Sequence, residues 1–336
     1  MKGIQKIAAL VLAAALTIGA FAGCASGPKV SNEELASMTV ATYGDKEITA
    51  GEANFYLRSL QYMYEVYYGS YYGAGMWEME TSGKSMADSV REIILSEVYQ
   101  IYVLNEKAAE LGIALSDEDL AKVEAAVEDY LETAPKEVAE QVCLEKAALT
   151  EIYKRNALAN RAWEYAVKDT NTEVSDDEAK QRQVTIITLY EVAEDYKAEE
   201  LKDEILKALK DGKTMEEIAK EKEVAASPYH MGEGDYEDSF GATAMALKEG
   251  EYAAEYIENY KAWAIMYCDS EFDKEATDDK KEVIVAERKA AEFESVYKEW
   301  KKDAKEYIVD EEVVKLLTFE KPVYVAPTQE PTTAAK

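Results

Sequence analysis

From Met86 to Leu111 apolar residues recur as Met86, Val90, Ile93, Ile94, Val98, Ile101, Leu104, Ala108 and Leu111. That spacing marks one face of a single long helix, with Gly112 placed to end it. A helix of this length with one apolar stripe needs other helices to cover it, so the first half of the chain is expected to be a helical domain. SDEDLAKVEAAVEDYL supplies the next helix, with Ser116 before an acidic first turn. Helical periodicity continues from about 136 to 168. Upstream, TVATYGDKEITAGEAN reads as a strand-like run, a Gly44-Asp45 turn and a helix start, with Thr49 and Glu52 spaced as a capping box.

After NTEVSDDEAKQ the pattern changes. VTIITLY (184–190) is rich in β-branched residues and predicts a buried strand. A helix ending at Gly212 follows, then a short helix capped by Thr214 and Glu217. SPYHMGEGD (227–235), SFGATAMALKEGEYA and a second strand, AWAIMYC (262–268), close a small α+β unit. SPYHMGEGD is expected to be a loop carrying an exposed His230, the one histidine of the chain. Residues 276–318 predict a long helix with a short extended end, and 319–336 a disordered Pro- and Thr-rich tail.

The N-terminus carries a different message. Lys2 and Lys6 precede IAALVLAAALTIGAFAGC, an uncharged run ending at Cys24. Residues 1–23 are expected to be a signal peptide. Phe21-Ala22-Gly23-Cys24 resembles a bacterial lipobox, with Phe21 in place of the usual Leu. The resemblance implies acylation of Cys24, anchoring to a lipid bilayer at about 0.8 kcal/mol per buried methylene, and an extracytoplasmic location. Residues 24–39 are then a tether. Cys143 and Cys268 fall in different segments and are expected to be buried free thiols. With one His and no CxxC, neither a metal nor another cofactor is expected.

The chain holds 68 acidic and 38 basic residues, for a formal net charge of −30. Such a field repels phosphate backbones and excludes nucleic acid as an expected partner. Asp176-Asp177 and Asp278-Asp279 read as solvated acids, with no acid/base role. YLRSLQYMYEVYYGSYYGAGMW places seven tyrosines beside Trp77. Tyr64, Tyr67, Tyr68 and Tyr71 share helical spacing. A buried core face is the first reading, with some tyrosines lining a groove for unfolded chains as the second.

The order of these parts resembles the PrsA/SurA-type extracytoplasmic foldases. VATYGDKEITAGEANFYL is similar to the family's opening signature, and LNEKAAELGIALSDEDL to its next turn. DGKTMEEIAKE, GEGD and ALKEGEYA are similar to motifs of its parvulin-type prolyl isomerase domain. The resemblance implies an α+β fold: a helical chaperone domain (40–175), an inserted parvulin-like domain (182–274) and a C-terminal helix (276–318) completing the first. It also implies unfolded or partly folded exported proteins as partners.

Carried over residue by residue, the family's polar cluster is incomplete. Ile186 stands where the first histidine belongs, or Thr185 if the register slips. Ser227 stands at the Asp/Cys position and Trp263 at the second histidine. His230 occupies neither histidine position. Apolar surface for peptide is expected from Tyr236, Phe240, Met245 and Trp263. The resemblance therefore implies a foldase or chaperone with a degenerate isomerase domain. Two alternatives stay open: an active isomerase using Ser227, Tyr236 and His230, and a ligand-binding or structural envelope lipoprotein.

Overall fold

The computed structural model describes residues 30–191, 197–235 and 239–324. The signal peptide, Cys24, the start of the tether, Tyr236 and residues 325–336 lie outside the described residues. The chain divides into two compact units, 1–169 with 292–336, and 170–291. Together they make an α+β fold that is mainly helical with small antiparallel sheets, the expected class.

The first unit opens with α1 (Asn32–Ser37), where a tether was expected. Ser31 and Glu34 close a reciprocal capping box, and Leu35 is buried, so a helix wins over an extended linker. β1 (Thr39–Tyr43) and β2 (Lys46–Thr49) form a hairpin across Gly44-Asp45, with Gly44 at φ +59°. α2 (Ala50–Tyr72) follows, capped by Thr49. The Thr49–Glu52 box is only half formed: the Glu52 N–H donates to Thr49, while the Glu52 carboxylate turns into the core.

There Glu52 meets Arg155 at 2.7 Å and accepts from the Tyr102 hydroxyl at 3.1 Å. Burial pushes the Glu52 carboxyl above its ordinary range, and Arg155 opposes that shift. A 3-10 turn (Gly73–Glu78) and the short strands β3 (Glu80–Thr81) and β4 (Lys84–Ser85) lead to α3 (Met86–Glu110). Val90, Ile94, Val98, Leu104 and Ala108 are buried along α3, as their spacing predicts. α4 (Asp117–Thr133) has a complete box between Ser116 and Asp119. The expected helix 136–168 is broken at Cys143, whose left-handed φ of +50° separates α5 (Lys136–Val142) from α6 (Lys146–Ala166). Cys143 is half-buried and Cys268 buried, and both are free thiols.

Glu97 on α3 has a buried Oε1 with no hydrogen-bond partner, and burial raises its pKa to about 7. Raised above the ordinary 4.5, this carboxyl favours folding while protonated. Its stabilising share is full below about pH 4.5 and is lost as pH rises through about 7. Glu97→Gln should therefore match the parent at pH 4 and exceed it by on the order of 1–2 kcal/mol at pH 8. Urea melts at the two pH values check this, and an equal difference at both would sink it.

The second unit starts with α7 (Asp176–Ala179) and β5 (Arg182–Tyr190), then α8 (Ala198–Lys210) and α9 (Met215–Lys222) with its expected Thr214–Glu217 box. Next come β6 (Ala226–Met231), α10 (Ser239–Ala246), β7 (Tyr252–Ile257) and β8 (Ala262–Ser270). The strands make one antiparallel sheet in the order β6-β5-β8-β7. One face packs Val184, Ile186, Ala264, Met266 and Cys268 beneath α10. The other packs Ile187, Leu189 and Ile265 against α8 and α9.

α11 (Lys274–Trp300) runs from the second unit into the first. The long helix ends at Trp300, and the expected extended end contains β9 (Tyr307–Val309), which pairs antiparallel with β1; α12 (Glu311–Val314) follows it. The expected disordered tail is also corrected in its first part. Phe319 and Val323 are 7% and 1% exposed, and belong to the core of the first unit.

Candidate functional site

The face of the sheet under α10 carries the positions that the sequence singles out. Ile186 on β5 lies directly between Ser227 on β6 and Met266 on β8. Residues opposite one another in an antiparallel sheet share a face, so Ile186, Ser227 and Met266 project together. Phe240 and Met245 pack on this side from α10, half-buried. Tyr229, opposite Val184, adds an exposed phenol to the same side. Thr243 on α10 donates its hydroxyl to Glu255.

Trp263 is not part of that surface. It stands opposite Leu189 and packs with the α8 side, under the Lys202 ammonium at 4.2 Å and beside Tyr256. The neighbours of Trp263 on the Ile186 face are Ala262 and Ala264, so the closing strand brings small apolar groups where a histidine was sought.

His230 is likewise corrected. It sits on β6 opposite Gln183, not in a loop, and alternation sends it to the face away from Ser227. Its Nε2 lies 3.5 Å from Asp273 Oδ2, and its side chain is 52% exposed. Asp273 Oδ1 accepts the Ala276 N–H in the first turn of α11. The histidine thus sits where β6 meets the start of a helix, and does not join Ser227 in one pocket.

GEGD now has a physical account. Asp235 accepts the Gly232 N–H at 2.7 Å and the Lys280 ammonium at 2.9 Å, fixing the turn to α11. Burial raises the Asp235 carboxyl, but Lys280 and the Gly232 N–H outweigh it and hold the group below its ordinary range. A Cβ on Gly232 would meet the Lys180 carbonyl oxygen at 2.9 Å, and Gly234 has φ +82°.

Sequence reading missed Arg182. The residue is 7% exposed, and its Nη1 donates to the carbonyls of Ala244 and Leu247 at 3.0 and 2.6 Å. It therefore fastens the C-terminal end of α10 to the sheet, as a cation there should. The signal available was a charge at the head of an otherwise uncharged strand.

In the first unit the tyrosine stretch departs from the core reading. Tyr56 and Trp77 are buried, and Tyr64 is half-buried. Tyr67, Tyr68, Tyr71 and Tyr72 are exposed, Tyr71 by 82%. Among the described residues no cluster of His, Cys, Asp or Glu has metal-holding geometry, and no helix is long and apolar enough to cross a membrane.

The class defined so far is a helical unit interrupted by a small antiparallel α+β unit. No family model and no curated relative matches the chain. Among solved structures it is similar to the peptidylprolyl isomerase PrsA of Bacillus cereus, at 16% identity and TM-score 0.34 over 85% of this chain and 100% of that one. It is also similar to PrsA of Bacillus anthracis, at 19% and 0.34, over 62% and 96%. A SurA-like chaperone of Campylobacter jejuni matches at 9% and 0.29, over 81% and 99%. These proteins belong to the same PrsA and SurA-like group that the sequence motifs resemble. The likeness is distant, and no residue of this chain takes its role from it.

Proposed function

We propose that the chain is a foldase or chaperone for exported proteins, anchored outside a membrane through acylated Cys24. In this reading the helical domain (40–175, completed by the segment after 276) and the parvulin-like domain (182–274) both hold unfolded segments. The second retains little or no prolyl isomerase activity. One observation carries this: the sheet face under α10 is apolar where an isomerase needs a polar cluster, with Ile186, Ala264 and Met266 at its centre. Turning an X–Pro amide means crossing about 20 kcal/mol. An apolar floor desolvates the amide but supplies no donors of its own, and the polar groups beside it on β6 are the hydroxyls of Ser227 and Tyr229, with no imidazole on that face. Phe240 and Met245 at the rim suit holding a chain.

Exchange NMR on a short X–Pro peptide, with the chain lacking its first 24 residues, tests the reading. Exchange should stay at the uncatalysed rate, while peptide-induced shifts gather around Phe240 and Met245. Acceleration that disappears in Phe240→Ala would establish a working isomerase and overturn the inactive-domain reading.

A further inference from the structure

Residues 317–324 lie along α2 and α3 as a bound peptide would. Arg91 Nε donates to the Leu317 carbonyl at 2.9 Å, Arg58 Nη2 to the Thr318 carbonyl at 2.8 Å, and Gln61 Nε2 to the Lys321 carbonyl at 3.0 Å. Glu65 Oε2 accepts the N–H groups of Val323 and Tyr324 at 2.7 and 2.8 Å. Arg58, Gln61 and Glu65 rise at three- and four-residue spacing on one helix face, and none is more than 7% exposed. Burying such a row is costly unless each group is paired; Arg58 donates to Asn54 and Gln61, Gln61 donates to Glu65, and main-chain groups of the segment take up the remaining donors and acceptors.

Beyond Leu317, itself 1% exposed in the core, two side chains anchor residues 318–324. Phe319 stacks on Trp77 at 4.2 Å, with the Arg58 and Arg91 guanidinium carbons 5.9 and 5.5 Å from its ring centre. Val323 is the second, buried four residues later, while Thr318, Glu320, Lys321 and Pro322 face solvent. Recognition through main-chain groups plus one aromatic and one apolar anchor asks little of the remaining sequence. Tyr62, against Tyr324, and Tyr64, against Trp77, continue the groove toward the exposed tyrosines of α2. From Val66 to Trp77 the chain has no charged residue, in a protein of net charge −30.

We infer that this groove is a binding site for extended polypeptide carrying an aromatic residue four positions before an apolar one, and that residues 317–324 are its resident, displaceable occupant. The inference rests on the foldase reading only in naming exported, unfolded chains as the physiological ligand.

The test uses the full chain and a fluorescein-labelled peptide, TFEKPVY, copied from residues 318–324. Phe319→Ala weakens the resident segment and should bind the peptide at least about tenfold tighter than the parent, because the competitor has lost its aromatic anchor. The peptide with Ala for Phe should not bind. Hydrogen exchange on the parent gives a reading that needs no variant. The Val323 and Tyr324 amides should exchange through a local opening, and faster when unlabelled peptide is added. Phe319→Ala that melts cooperatively without gaining affinity would overturn the inference, as would amides that exchange only with global unfolding. If peptide binds but aggregation of an unfolded secreted protein is not suppressed, the foldase reading falls alone. If suppression persists without peptide binding, this groove falls alone.

Discussion

Replacing Arg155 by Leu should cost the first unit about 3–5 kcal/mol, because it leaves the Glu52 carboxylate buried with only the Tyr102 hydroxyl beside it. The size of the effect comes from the abandoned charge more than from the lost attraction. Its pH dependence follows from the sign of the shift. Glu52 already has its carboxyl raised in the folded protein, and removing Arg155 raises it further. The variant should therefore approach the parent below about pH 4.5, where Glu52 is protonated folded and unfolded, and fall away as pH rises. Urea melts of parent and variant at pH 4.5 and 8 measure this. Adding Glu52→Gln should recover part of the loss at pH 8. A deficit independent of pH, with no recovery in the double variant, would show that Arg155 acts by packing alone.

Arg182→Met should loosen α10 and lower the stability of the second unit by roughly 2 kcal/mol. Two opposing effects set that figure. Loss of the guanidinium leaves the carbonyls of Ala244 and Leu247 without their donor, at about 1–3 kcal/mol each. Relief of a buried cation whose Nε has no partner offsets part of it. Because α10 carries Phe240 and Met245, peptide-induced shifts on that face should weaken even where the unit stays folded. Thermal melts with peptide titration followed by NMR give both quantities. A variant as stable as the parent, with unchanged peptide shifts, would mean that α10 is held by its apolar contacts and not by Arg182.

The parts of the fold legible in the sequence were those set by local contacts. α3 declared itself through its apolar spacing, and Ser116 and Thr214 through their caps, because helix periodicity and capping depend on residues three or four apart. β6 and β7 escaped notice since both lie at the edges of the sheet, where half-exposed residues blur the alternation. Pro228 fits there because an edge strand accepts proline.

The candidate site was half legible. Ile186, Ser227, Phe240 and Met245 do come together, whereas Trp263 misses by one residue. VTIITL and AWAIMYC are apolar on both faces, so nothing in either run reveals which side a residue takes, and a slip of one reverses it. Arg182, the buried row on α2 and the folded 319–324 segment depend on partners far along the chain, and local pattern is silent about them.

β9 pairs with β1, and Thr318 with Arg58 across a separation of 260 residues, so the first unit is closed by residues made long after its opening strands. At synthesis rates of about 5–20 residues per second, β1 and α2 wait roughly 10–50 s for their last partners. During that interval Arg58, Gln61 and Trp77 are without the partners that residues 317–324 supply. The protein begins its own existence as the kind of half-finished chain that it is proposed to hold, and its groove is vacant for a neighbour before residues 317–324 arrive.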